Sequence, residues 1–254
     1  MNVLAWSRAN NACEQPSVKP GTRTYAIGDV HGRRDLLGRM HEVIAADIRG
    51  APSDLSIQLV YLGDYVDRGA ESRQVLDELL AGPFAEAQTV HLMGNHEQSL
   101  LAFLDKPETG AGWLYYGGDA TLASYGIAVD PMAPRTTELL SHLARELTAT
   151  MPAEHVSFLQ DLALSHANGD YFFVHAGIDP KRPLDEQEPQ DLMWIRDTFI
   201  NSQKFHGKVV VHGHTIAPEP VVRRNRIGID TGAYISGKLT CLVLEDTKRW
   251  FLTT

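Results

Sequence analysis

Five short runs in this sequence set carboxylate, amide or imidazole side chains beside glycine. They are Gly28-Asp29-Val30-His31-Gly32, Gly63-Asp64-Tyr65-Val66-Asp67-Arg68-Gly69, Gly94-Asn95-His96-Glu97, His175-Ala176-Gly177 and His212-Gly213-His214-Thr215. Carboxylate oxygen and imidazole nitrogen together suit borderline metals such as Mn, Fe or Zn. Glycine next to each of them lets the backbone turn sharply and come close to an ion. Two cations about 3.5–4 Å apart can clamp the attacking and departing oxygens of an in-line displacement, and a water bound to them ionises near neutral pH. Arginine forks match phosphate oxygens in pairs and stay charged. A histidine held by an aspartate can be charged near pH 7 and supply a proton to a poor leaving group.

Each run follows a segment that reads as a strand. Residues 24–27, 57–62 and 89–93 are short apolar runs ended by the first three loops. Residues 33–49, 71–80 and 96–104 carry apolar side chains at helical spacing. Strand, loop and helix repeated three times predict parallel strands joined by helical crossovers. Open α/β sheets bind ligands outside the carboxyl ends of their strands, so the loops are expected to converge. Residues 105–160, with several glycines and prolines, read as a helical insertion beside the site, with helices near 136–147 and 153–162. Strands are expected again at 162–165, 171–175, 208–211, 221–223, 227–229 and 239–244, with a hairpin at Asn168-Gly169.

The chain has 254 residues and a formal net charge of −9. That balance excludes an ordinary nucleic-acid binder, which needs a basic face. An anionic substrate must find local positive charge, from metal ions or arginines. No apolar run approaches the roughly 18 residues of a membrane span. Two cysteines, Cys13 and Cys241, make no disulfide framework and point to a reducing, cytoplasmic setting. Residues 1–20 lack a secretory pattern and are expected to be a flexible leader. Residues 21–254 are expected to form one domain.

The order and content of the five runs resemble the phosphoprotein phosphatase branch of the metallophosphoesterases, bacterial serine/threonine phosphatases among them, over residues 24–234. The resemblance implies an α/β fold, a calcineurin-like four-layer sandwich of two mixed β-sheets flanked by helices. It implies two divalent ions, manganese first and iron or zinc as alternatives. Asp29, His31 and Asp64 would bind the first ion, with Asp64 bridging to a second held by Asn95, His175 and His214. His96 would be the general acid and Asp67 the carboxylate that orients it. Arg68 and Arg196 would hold the phosphate; Arg196 rests on the looser match Leu192-Met193-Trp194-Ile195-Arg196. Asn95 would touch substrate as well, and Tyr234 resembles a tyrosine that approaches the phosphate, a packing role being equally open to it. The implied reaction is hydrolysis of phosphoserine or phosphothreonine in a protein or peptide, or of a small phosphoester, by direct attack of a metal-bridging hydroxide.

A related branch hydrolyses symmetrical diadenosine tetraphosphate with the same motifs. It usually has aspartate after Gly-Asn-His and lacks the aspartate of the Asp-Arg-Gly run, whereas this chain has Glu97 and Asp67. Other residues have plainer readings. Period two puts His212 on the same strand face as His214, where it competes as a ligand; the resemblance assigns His214. Glu97 reads as support for its own loop. His91, His166 and His206 read as structural or solvated. Trp113, Tyr115 and Tyr116 read as core before substrate platform. Arg223, Arg224 and Arg226 read as a solvated basic face.

Overall fold

The computed structural model describes residues 15–254. Strand β1 (Thr22–Ile27), helix α1 (Arg34–Arg49), β2 (Ser56–Tyr61), α2 (Ser72–Ala81), β3 (Gln88–His91) and α3 (Asn95–Asp105) follow one another as the alternation predicts. The insertion contains α4 (Gly110–Trp113), α5 (Asp119–Ser124), α6 (Thr137–Thr150) and α7 (Ala153–Gln160). The rest comprises β4 (Ser165–Asn168), β5 (Tyr171–Val174), α8 (Pro189–Trp194), α9 (Asp197–Ile200), β6 (Val209–His212), β7 (Val221–Val222), β8 (Arg226–Gly228), α10 (Ala233–Ser236), β9 (Thr240–Glu245) and β10 (Lys248–Thr253).

Among the described residues these strands form two five-stranded sheets, ordered β10-β9-β1-β2-β3 and β4-β5-β6-β8-β7. Both are mixed. In the first, β1, β2 and β3 run parallel and β9 and β10 return antiparallel. In the second, β5, β6 and β8 run parallel between antiparallel edges.

Side-chain alternation builds the layers. Ala26, Val60, Leu242 and Leu244 of the first sheet pack against Tyr171, Phe173, Val209, Val211 and Ile227 of the second. Their neighbours Tyr25, Ile27, Leu59, Tyr61 and Val243 face the other way, onto α1, α2 and the insertion. Phe172, Val174 and Val210 point outward from the second sheet and are covered by Leu192 and Phe199 of α8 and α9. Because side chains on a strand alternate faces, near-continuous apolar runs such as those of β1 and β2 fit sheets covered on both sides. Each such side chain, fully buried, contributes roughly 1.5–3 kcal/mol.

The leader expected to be loose divides at residue 15: residues 1–14 lie outside the described residues, but the segment just beyond is tied down. Val18 is buried in the inter-sheet core. The Ser17 N–H donates to Asp170 Oδ2 at 2.9 Å and the Lys19 N–H to Asn168 Oδ1 at 2.9 Å. The hairpin that those residues grip also differs by one step from expectation. Asn168 pairs with Tyr171, so its loop is Gly169-Asp170, and β4 begins at Ser165, where the strand was expected to end. Strand β10 was not anticipated; Lys248 and Arg249 make its start look polar, as an exposed edge tolerates.

His91 is packed between the rings of Tyr61 and Phe158, each 5.0 Å away between centroids. Burial pushes its pKa from the ordinary 6.5 down to about 4. Between those values the unfolded chain binds a proton that the folded chain refuses, so stability is lost as pH falls through that window. His91→Phe should therefore flatten the acid-side decline in denaturant midpoint between pH 6.5 and 4; an unchanged slope would show that His91 does not carry it.

Candidate active site

The five loops leave the carboxyl ends of β1, β2, β3, β5 and β6, and they meet. The Val30 and His31 N–H groups donate to Asp64 O at 3.0 and 2.8 Å, which joins the first two loops. His175 Nδ1 lies 2.8 Å from Leu62 O, and the His214 N–H lies 3.0 Å from Asp29 Oδ2, which brings the second sheet to the first. Glu97, fully buried, ties the third loop to the second. Its Oε2 accepts the N–H groups of Asp64 and Gly94 at 2.8 and 3.0 Å; its Oε1 accepts those of Tyr65 and Val66 at 2.7 and 3.2 Å. A Cβ on Gly94 would fall 2.2 Å from Asp64 Oδ1, so only glycine allows this approach.

This scaffold holds strained backbone. His31, Asp64, Asp67, Arg68 and His214 all have left-handed φ, between 47° and 74°. Such residues cost of order 1–3 kcal/mol each and persist where their surroundings over-determine them. Glu97 is much of that constraint. Glu97→Gln would leave an amide NH2 facing backbone N–H groups. We expect a stability loss of about 1–3 kcal/mol by chemical denaturation, and a loss below about 0.5 kcal/mol would mean that the clamp is dispensable.

The imidazoles are aimed by their second nitrogens. His31 Nδ1 lies 2.9 Å from Val66 O, and His175 Nδ1 lies against Leu62 O. Each Nδ1 therefore carries the proton and donates, leaving the Nε2 lone pair turned inward, a pattern typical of metal-binding histidine. His31 Nε2 and His175 Nε2 each stand 3.4 Å from an oxygen of Asp64. Burial holds both imidazoles below the ordinary histidine range, and His214 likewise. Lone pairs thus face a carboxylate across gaps wider than a good hydrogen bond.

The residues fit metal ions. His31, Asp64 and His96 form one group, and Asp64, His175 and His214 another, each with ligand atoms within 4.8 Å of one another. Asp64 is common to both. His214 Nε2 is buried with no hydrogen-bond partner. Asn95 Oδ1 lies 3.0 Å from His175 Nε2, so two acceptors face each other. A cation satisfies all of these atoms at once. Asp29 lies outside both groups and accepts the His214 N–H; burial, with Asp230 and Asp64 close by, pushes its pKa well up.

His96 differs from the other three histidines. Its Nδ1 is 2.6 Å from Asp67 Oδ2, and Asp67 is fully buried. Burial works against the charged imidazole, but Asp64 and Asp67 outweigh it, and the net direction is upward. Arg68 Nη2 approaches His96 Nε2 at 3.2 Å. With the imidazole charged, these become two converging donors that an ester oxygen could bridge. Two cavities meet here, sharing Arg68, His96 and Arg196. The smaller, about 320 Å³, also touches His31, Asp64 and His214; the larger, about 520 Å³, runs past Trp113, Tyr116 and Trp194.

The structure brings Arg196 to the site despite its weaker motif, with Nη1 3.4 Å from His214 O. Tyr234 packs under the Arg68 guanidinium, 4.6 Å from its ring centre, and edge-on to His31. His212, the competing histidine, is turned away: its Nδ1 meets Gly213 O and its Nε2 meets Arg226. Arg226 is thereby buried, contrary to the solvated face expected of it. The aromatic trio splits, with Trp113 buried and Tyr115 and Tyr116 exposed. Sequence reasoning missed Asp230, which lines the smaller cavity and is pushed up to about 6 by burial. It follows the strand-like run at 227–229 and precedes Thr231-Gly232, the same strand-then-acid-near-glycine signal that marked the other loops.

Among known proteins, the chain is similar to the asymmetrical bis(5'-nucleosyl)-tetraphosphatase PrpE of Oceanobacillus iheyensis, 24% identical over 84% of this chain and 85% of that one. It is 29% identical to serine/threonine-protein phosphatase 2 of Escherichia coli, over 85% and 90% of the two chains. In fold it resembles a putative diadenosine tetraphosphatase, with TM-score 0.60 and 20% identity over 94% of this chain and 98% of that chain. The match to the calcineurin-like phosphoesterase family runs from residue 22 to residue 237, from β1 through every site loop, and this chain belongs to that family.

Proposed function

We propose that this chain hydrolyses phosphate monoesters whose leaving group is an alkoxide, phosphoserine and phosphothreonine in proteins or peptides above all. The observation that carries the reading is the buried Asp67–His96 pair at the meeting of the two cavities. A serine alkoxide departs poorly unless it is protonated, whereas a nucleoside polyphosphate departs as a stable anion. A histidine whose Nδ1–H is held by a buried aspartate is placed to deliver a proton from its other nitrogen.

In this reading His96 Nε2 protonates the departing oxygen while Asp67 holds the Nδ1–H. Arg68 and Arg196 grip the non-bridging phosphate oxygens, and Tyr234 supports the Arg68 guanidinium from below. Asp29, His31 and Asp64, with Asn95, His175 and His214, would hold two divalent ions, manganese first. When bound, such ions supply Lewis acidity and neutralise phosphate charge. Their positive charge also offsets the long-range repulsion of a chain with net charge −9.

A second reading is hydrolysis of dinucleotide polyphosphates. It is supported by the larger cavity, where the exposed Tyr116 and Trp194 could accept a base, and by the name of the Oceanobacillus relative. A phosphoserine peptide and diadenosine tetraphosphate, assayed side by side with the same manganese loading, separate the two. We expect higher kcat/KM on the phosphopeptide. Dinucleotide turnover faster by orders of magnitude would overturn the first reading in favour of the second.

A further inference from the structure

We propose that Trp113 and Thr121, both from the helical insertion, are positioning residues that lock the Asp67 carboxylate so that His96 presents its Nε2 to the leaving group. The proposal rests on the reading of His96 as the proton donor.

The two Asp67 oxygens have three side-chain donors between them. Oδ2 receives His96 Nδ1–H at 2.6 Å and Trp113 Nε1–H at 2.9 Å. Oδ1 receives the Thr121 hydroxyl at 2.6 Å. The same Thr121 oxygen accepts the Asp67 N–H at 2.9 Å, so one side chain grips both ends of the aspartate. Ser72 Oγ at the start of α2 also accepts that N–H, at 3.0 Å, and lies 3.0 Å from the Thr121 oxygen. A carboxylate free to rotate about its last bond could hold the imidazole at several tilts. With Oδ1 and Oδ2 each committed to a donor outside the dyad, one tilt remains.

The insertion is itself anchored to the phosphate-gripping loop. The Arg68 N–H donates to Gly117 O at 3.1 Å. Gly117 has φ +109°, and a Cβ there would stand 2.8 Å from Arg68 Cγ. Trp113 is buried and packs at a tilt against Phe103 of α3 with ring centres 4.8 Å apart, which fixes the direction of its indole N–H. Asp67 and His96 belong to the loops after β2 and β3, yet the carboxylate between them is finished by residues 46 and 54 positions further on. The proton donor is therefore completed by the insertion.

The test exploits leaving-group chemistry. A proton donor matters for phosphoserine and little for p-nitrophenyl phosphate, whose phenolate leaves without help. Misplacement by about 1 Å can cost on the order of 10²-fold. The Trp113→Phe/Thr121→Val double variant keeps an aromatic ring and a β-branched shape. It should lose about ten- to a hundred-fold in kcat on a phosphoserine peptide, while activity on p-nitrophenyl phosphate and manganese content stay near wild type. Thr121→Ser, which keeps the hydroxyl, should restore the wild-type pattern at that position. A second readout needs no turnover: the far-downfield proton resonance of His96 Nδ1–H in metal-free protein should weaken in the double variant and persist in Thr121→Ser. His96→Asn serves as the reference for loss of the donor. If His96→Asn discriminates between the two substrates and the double variant does not, the positioning role is wrong and the donor stands. If His96→Asn itself fails to discriminate, the donor reading falls, and the positioning proposal with it. Equal losses on both substrates would mark a merely structural effect and overturn the proposal.

Discussion

His96→Asn should lower kcat on a phosphoserine peptide by roughly two to four decades, the usual contribution of a positioned proton donor, with metal content near wild type. The first half follows from the Asp67 contact at 2.6 Å and the upward direction of the His96 pKa. The second half is the sharper claim, because His96 lies within ligand distance of His31 and Asp64. Two features separate it from a ligand. Its Nε2 is 3.9 Å from the nearer Asp64 oxygen, against 3.4 Å for His31. It also has the Arg68 guanidinium at 3.2 Å, whose charge opposes a cation at that nitrogen. Asparagine can still donate to Asp67, so the loop should keep its shape. Turnover and elemental analysis on one preparation decide the matter: metal lost in step with activity would make His96 a ligand.

Much of this site was legible in the sequence because its signals are local. A glycine beside an acid or histidine, after a short apolar run, marks the end of a strand and a ligand-type residue together. Five such runs fixed which residues converge, and β–loop–α alternation fixed that they converge at carboxyl ends. What sequence could not supply were relations without local signal. Nothing near Trp113 or Thr121 announces that both reach Asp67, because the insertion's kinked turns bring them there. His212 and His214 share a strand-like period, and only the left-handed turn at His214, φ 60°, swings one inward while Arg226 takes the other. The hairpin slipped by one residue because Asn168 is used for its side chain, which accepts the Lys19 N–H and donates to Gln58 Oε1 at 2.9 Å, rather than for its turn propensity. Glu97 had the plainest fate: its support of the loop could be read from its place beside His96, but its hold on four backbone N–H groups could not.

Asp64→Asn should have the larger effect on metal. Its carboxylate is the member that both ligand groups share, and it stands 3.4 Å from both His31 and His175. A bridging carboxylate offsets the repulsion between two dications, so its neutral amide should weaken both sites at once. Asparagine tolerates left-handed backbone nearly as well as aspartate, so the φ of 53° at this position adds no new strain. The Glu97 clamp, which holds the backbone of residue 64 and not its side chain, stays in place. We expect bound manganese to fall from two per chain toward none at micromolar free metal, and kcat to drop by roughly three decades or more, given the several kcal/mol of charge stabilisation such ions provide. A thermal readout separates lost binding from lost chemistry. An ion that binds only the folded chain at about 100 times its Kd adds about 2.7 kcal/mol of stability. Manganese should therefore raise Tm in the wild type and leave the variant close to its metal-free value. A variant that keeps two ions and the full metal-dependent rise in Tm would show that Asp64 does not bridge them, and the dinuclear reading of this site would have to be rebuilt around Asp29 and Asp230, two other buried carboxylates at its edge.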